Sequence, residues 1–207
     1  MDIAAQVASK LLQINAIKLS PQKPFTWASG IQSPIYCDNR VLLSYPEVRN
    51  FIKQSLVQAS ESFKGFNLIA GVATAGIPHG ALLADALQLP FIYVRSKAKE
   101  HGRQNLIEGH APEGSKALVI EDLISTGGSS LQAVQALRDA GVEVLGVLAL
   151  FSYGFERARQ AFLEANCQLL TLSDYDVLIA EARRAAYINE DELNSLQQWR
   201  AQTDAVA

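Results

Sequence analysis

Residues 117–130 constrain this chain more than any other stretch: Ala-Leu-Val-Ile-Glu-Asp-Leu-Ile-Ser-Thr-Gly-Gly-Ser-Ser. Residues 117–120 form a short apolar run, the pattern of a strand buried on both faces. Glu121 and Asp122 follow at once, where such a strand is expected to leave its sheet. Residues 125–130 then supply hydroxyls and two glycines. Leu131, Val134 and Leu137 continue at helical spacing. The predicted order is strand, acidic pair, small polar loop, helix N-terminus.

This order carries a chemical expectation. A helix start offers unpaired N–H groups and a partial positive charge, which suit a phosphate. Gly127 and Gly128 let backbone approach an anion closely, and Thr126, Ser129 and Ser130 add hydroxyl donors. The two carboxylates would repel that phosphate. They make sense if they bind another part of the same ligand, such as sugar hydroxyls, or lie near a metal or a developing cation. A capped helix after a buried strand would explain the glycines and hydroxyls alone. The acidic pair at the strand end favours a ligand, because open parallel sheets bind ligands at the carboxyl ends of their strands.

Apolar strand, two acids and a Thr-Gly-Gly loop together resemble the phosphoribosyl-diphosphate signature of type I phosphoribosyltransferases. The version Glu-Asp-Leu-Ile-Ser-Thr-Gly-Gly-Ser is similar to that of the orotate phosphoribosyltransferase family in particular. Residues 25–40 carry a second likeness. Read alone they are a hairpin with a turn at Ser29-Gly30 and Pro34 on an edge strand. Their Phe-Thr-x-x-Ser-Gly-x-x-Ser-Pro pattern also resembles the N-terminal hood motif of the same family, which leaves Tyr36 as an aromatic for stacking on a planar base. The chain departs from some members at Ala28, Ala75 and Tyr153.

The rest of the 207 residues fits one core with an appendage. Net charge is −3, so nothing pulls the whole chain toward nucleic acid or an anionic membrane. Cys37 and Cys167 lie far apart, as reduced thiols of a cytoplasmic protein would. No apolar run reaches the roughly 18 residues of a membrane span, and the N-terminus lacks the pattern of a secretory signal. Helices are expected over 3–16, 46–62, 77–87, 131–140, 156–165, 175–188 and 191–200, with a fraying C-terminus. Strands are expected over 66–72, 91–94, 142–151 and 167–172. Residues 71–76 contain Gly-x4-Gly but continue Ile-Pro rather than Lys-Ser/Thr, so a P-loop nucleotide hydrolase is disfavoured.

Arg95, Lys97, Lys99, His101 and Arg103 recur at every second position. In an extended ribbon this puts the cations on one face. They suit an edge kept soluble by lysines, or an arm that brings charge to a diphosphate.

The alternation of strands and helices argues an α/β fold with a parallel sheet. The resemblance implies the type I phosphoribosyltransferase fold: a central parallel sheet flanked by helices, with an N-terminal hood. It implies one domain over 1–207, with a hood near 1–45 joined by part of the C-terminal region and a core near 46–155. It implies transfer of phosphoribosyl from 5-phosphoribosyl 1-diphosphate to orotate, giving orotidine 5′-phosphate and diphosphate in pyrimidine synthesis. Lys99, Asp122 and Glu121 would be catalytic. Arg95, Lys99, His101, Glu121, Asp122, Leu123, Ile124, Ser125, Thr126, Gly127, Gly128 and Ser129 would bind the donor, and Ser125 and Tyr36 orotate. Mg²⁺ would be held mainly by ligand oxygens and water, without a protein metal site. A homodimer with shared sites would follow, with no nucleic acid or membrane as partner. A purine transferase on the same core is disfavoured by the hood motif. A non-enzymatic sensor is disfavoured because no DNA-binding appendage is evident.

Overall fold

The computed structural model describes residues 2–26, 30, 32–96 and 106–206. Its centre is a six-stranded sheet in the order β10-β9-β8-β5-β6-β7. The strands are β5 (Leu68–Val72), β6 (Phe91–Val94), β7 (Ile107–Glu108), β8 (Lys116–Ile124), β9 (Glu143–Ser152) and β10 (Leu169–Asp174). All pairings are parallel except β6 with β7.

Period-two alternation in these strands divides the core into two layers. Ile69, Leu118, Ile120, Leu148 and Leu150 belong to one cluster, while Leu68, Ala70, Ala117, Val119, Val147 and Ala149 belong to the other. On the first face pack α1 (Ile3–Gln13), α2 (Pro46–Ser60) and α3 (Gly76–Leu87), which contribute Leu11, Ile52, Leu56 and Leu83. Against the second pack α4 (Gly128–Asp139) and α5 (Glu156–Glu164), with Val134, Leu137 and Phe162. Each fully buried Leu, Ile or Phe contributes about 1.5–3 kcal/mol. Helix α3 sits so close to β8 that a β-carbon at Gly76 would lie 2.5 Å from the Ile120 carbonyl oxygen.

The N-terminal segment adds two small antiparallel ladders. β1 (Ile17–Leu19) pairs with β4 (Ile35–Cys37), and β2 (Phe25–Thr26) pairs with β3 (Gln32–Ser33). The predicted hairpin is therefore present, but the β1–β4 ladder was not foreseen. Three residues at 17–19 are too few to give a period. A 3-10 helix over Asn39–Ser44 leads into α2.

Of the boundaries that differ from expectation, two matter most. The strand expected over 117–120 continues to Ile124, because β9 runs beside it: Glu121 pairs with Ala149, Leu123 with Phe151 and Ile124 with Ser152. The C-terminus does not fray at residue 200. After α6 (Tyr175–Arg184), helix α7 runs Glu190–Val206. It is tied down along its length: the Tyr175 hydroxyl donates to the Leu196 carbonyl (3.0 Å) and the Trp199 indole N–H to the Gln32 carbonyl (3.1 Å). Asp204 accepts from the Glu156 amide at 2.8 Å.

Candidate active site

The pairing of β8 explains where the acids fall. Its last partner on β5 is Gly71, opposite Ile120, while β9 continues to Ile124. From residue 121 onward one edge of β8 is open, because β5 has given way to the 73–75 turn. The Ala73–Thr74 peptide in that turn is cis. The acidic pair thus occupies a strand paired on one side only, not a loop, with the start of α3 against Glu121 on the other.

Glu121 is 5% exposed. It turns toward α4, where one carboxylate oxygen accepts from the hydroxyls of Ser130 (3.0 Å) and Ser129 (3.4 Å). The other accepts from the Asp122 amide at 3.0 Å. Burial, reinforced by the neighbouring Asp122 charge, pushes the Glu121 carboxyl up to about 8. Asp122 is half-buried and lies on the side of the N-terminal layer, within the electrostatic reach of Arg40 and Asp38. Burial raises it as well.

Leu123 and Ile124 finish the strand, and Ser125 and Thr126 form the turn into α4. Ser125 is half-buried; Thr126, Gly128 and Ser129 are exposed. Gly127 is the N-cap, with φ +81°, and as a glycine it has no side chain to cap the helix. The first amides of α4 are left for an external acceptor, the situation that suits a phosphate. The glycine itself has a different local reason than close anion approach. A β-carbon at 127 would lie 2.7 Å from the Phe162 ring, on the α5 side. Ser130, expected to offer its hydroxyl to the phosphate, is buried and serves Glu121 instead.

A cavity of about 360 Å³ opens between the end of β5, the end of β6 and α4, lined by Val72, Ala73, Arg95, Ser96, Ser129 and Gln132 among others. Arg95 is half-buried there and pairs with Glu108 at 3.4 Å. Lys97, Lys99, His101 and Arg103 lie outside the described residues, as does Ala28. Among the described residues no cluster of three His, Cys, Asp or Glu side chains could hold a metal.

The N-terminal layer brings Tyr36, Cys37, Asp38 and Asn39 to the strand end. Tyr36 is 41% exposed, its ring centroid 5.8 Å from that of Phe25. Asp38 caps the 3-10 helix and grips Arg40 at 2.7 and 2.9 Å. Asn39 is fully buried and its amide donates to the Asp122 carbonyl at 2.7 Å. Sequence reading missed this contact. Its only trace was a polar run, Asp-Asn-Arg, after an apolar strand. Tyr153 is buried between Phe151 and Phe155. Burial first, then the nearby Cys37, Tyr175, Asp122 and Tyr36, raises its hydroxyl far above its ordinary value.

The chain matches the phosphoribosyl transferase domain over residues 42–180. It is 53% identical over 201 residues to an orotate phosphoribosyltransferase of Listeria innocua, covering 97% of this chain and 96% of the relative. It is 55% identical, with the same coverage, to that of Streptococcus agalactiae. Among solved structures it is similar to orotate phosphoribosyltransferase of Aeropyrum pernix, with a TM-score of 0.77, 27% identity, and coverage of 88% of this chain and 99% of that one. It is also similar to the UMP synthase of Leishmania donovani, with a TM-score of 0.82 and 26% identity, covering 96% of this chain and 42% of that one. With a strand-borne acidic pair, an open helix N-terminus and full-length relatives of one kind, the chain belongs to the orotate phosphoribosyltransferase family, on the type I phosphoribosyltransferase fold.

Proposed function

We propose that this protein transfers the phosphoribosyl group from 5-phosphoribosyl 1-diphosphate to orotate, giving orotidine 5′-phosphate and diphosphate in pyrimidine synthesis. The observation that carries this reading is the juxtaposition at the end of β8: two carboxylates on a strand, followed within six residues by uncapped helix amides. A sugar phosphate spans these two features.

The 5-phosphate sits on the 125–129 loop and the first amides of α4, with the hydroxyls of Ser125 and Thr126 and the amide of Ser129, whose hydroxyl donates to Glu121. Asp122 and Glu121 hold the ribose hydroxyls. Asp122 meets them from the open side; Glu121 is kept in place by Ser129 and Ser130. As the C1–diphosphate bond breaks, the ring gains oxocarbenium character, which the Asp122 charge stabilises from a fixed position. Arg95, Lys99 and His101 meet the leaving diphosphate. Tyr36 stacks on the orotate ring and Ser125 donates to it. Mg²⁺ would be held mainly by the donor's own oxygens and water, with the half-buried Asp122 carboxylate alongside. When bound, it neutralises the leaving group. Exclusion of water by the 95–103 arm protects the donor from hydrolysis.

The active species is a homodimer in which each arm serves the partner's site. The compartment is the cytoplasm, in keeping with two free cysteines; no described helix is long and apolar enough to cross a membrane. The test is incubation with 5-phosphoribosyl 1-diphosphate, Mg²⁺ and, separately, orotate, adenine, guanine or uracil. Consumption of orotate alone is expected. Turnover of a purine but not orotate would overturn the reading.

A further inference from the structure

We infer that Asn39 is a positioning residue: it holds the Asp122 backbone, and through it the Asp122 carboxylate, in register with the ribose site. The inference rests on the reading of Asp122 as a ribose contact. Asn39 is fully buried and 83 positions from Asp122 in sequence, yet its Nδ2 donates to the Asp122 carbonyl at 2.7 Å. Its Oδ1 accepts from the Cys37 thiol at 3.5 Å. Both functions of the amide are therefore used, and its orientation is fixed.

The place of this bond matters more than its strength. Residue 122 lies beyond the last pairing of β8 with β5, at Ile120. With β9 alone on its flank, the strand end has ladder support from one side only. Asn39 supplies a donor from the N-terminal layer to this one-sided stretch. The layer is itself anchored: the Asp38 amide donates to the Ala16 carbonyl at 2.8 Å, Tyr36 and Cys37 pair with β1, and the Asp38 carboxylate holds the Arg40 amide. A carbonyl held within a few tenths of an ångström also fixes the Cα–Cβ direction of its residue. Catalytic constellations need placement of about 0.5 Å, which such outer contacts provide.

Two substitutions separate positioning from simple space filling. Asn39→Leu keeps the volume but loses the donor. Asn39→Asp keeps the shape and donates only while protonated. Its contacts are Cys37 and the Asp122 carbonyl, with Asp38 and Arg40 beside it in the chain and Tyr153 near Cys37; burial and the Asp122 and Asp38 charges that raise the Cys37 thiol favour its proton as well, and Arg40 opposes them. Steady-state kinetics are measured on folded protein, checked by circular dichroism, beside the parent and Asp122→Asn. For Asn39→Leu, kcat/KM for the donor is expected to fall about tenfold or more, with KM for orotate within about twofold. For Asn39→Asp, activity relative to the parent should be highest in acid and fall as pH rises and the carboxyl ionises. A merely structural residue would lower stability without this relative pH profile. An Asn39→Asp ratio that stays near one over the whole pH range, or folded Asn39→Leu with parental constants, would overturn the inference while Asp122→Asn stays inactive. A fully active Asp122→Asn would remove the reading it rests on. If Asn39→Leu does not fold, the Asn39→Asp profile decides.

Discussion

Glu121→Gln should make the protein more stable than the parent in alkaline solution and leave it nearly unchanged in acid. The Glu121 carboxyl is buried and bonded to Ser129, Ser130 and the Asp122 amide, and its pKa moves from 4.5 to about 8. A raised acid pKa means that the folded state binds the proton more tightly than the unfolded chain. The contribution is fully present below the unfolded value and is lost as pH rises through the folded one. Between these limits the parent loses up to about 1.4 kcal/mol per pH unit from this group, a total of at most roughly 5 kcal/mol above pH 8. Gln keeps the shape and an acceptor oxygen, and its N–H₂ stands in for the protonated carboxyl at every pH. Urea unfolding of both proteins from pH 5 to pH 9 reads the difference directly. Parallel stability curves over the whole range, or a Gln variant less stable than the parent at pH 9, would refute the argument that Glu121 carries a burial-raised proton.

Asp122→Asn should keep the fold and lose most of its rate, because the charge facing the oxocarbenium is gone; steady-state kinetics with saturating substrates check it, and parental kcat would remove the ribose assignment. Gly127→Val puts a β-branched residue at φ +81° with its β-carbon 2.7 Å from Phe162, so unfolding in urea should show a loss of about 2–5 kcal/mol, with weakened donor binding by calorimetry. Parental stability and affinity would contradict that packing. Lys99→Ala and Asp122→Asn should each be nearly inactive, yet mixing them with subunit exchange should restore up to about a quarter of parental activity if each arm serves the partner's site. Confirmed exchange without recovery would assign the arm to its own subunit.

Most of the parallel sheet was legible because buried strands and amphipathic helices leave periods in the sequence. The apolar runs read as strands over 66–72, 91–94 and 142–151 become β5 (Leu68–Val72), β6 (Phe91–Val94) and β9 (Glu143–Ser152). The acidic pair was read as the end of a strand, since an unpaired carboxylate has no place in a sheet. The structure keeps it in β8 because Ser129 and Ser130, contributed by α4, satisfy Glu121. That compensation is tertiary and leaves no period. The β1–β4 ladder was invisible for a related reason: its two strands are three residues each and depend on one another for hydrogen bonds. The curated relatives and the fold agree on the family that the loop motif at 121–129 had suggested.

What the sequence could not convey is how the two acids come to differ. They are adjacent in the chain, yet the Glu121 carboxylate is held by α4 while the N-terminal layer holds the Asp122 backbone carbonyl. Strand geometry sends neighbouring side chains to different surroundings, so one pair of residues meets two sets of partners. On the α4 side, hydroxyls and burial let Glu121 keep a proton near neutrality. Asp122 is more open; burial raises it too, while the hydrogen bond with Glu121 and then Arg40 favour its charged form. Two carboxylates of equal charge in one small site would repel each other before any ligand bound. A proton retained by Glu121 and hydrogen-bonded toward the Asp122 carboxylate relieves that repulsion and leaves the pair one negative charge that a developing positive charge can use. A helix, a strand and an N-terminal layer must all be in place for this division, which is why a nine-residue motif marks the family but does not by itself make the site.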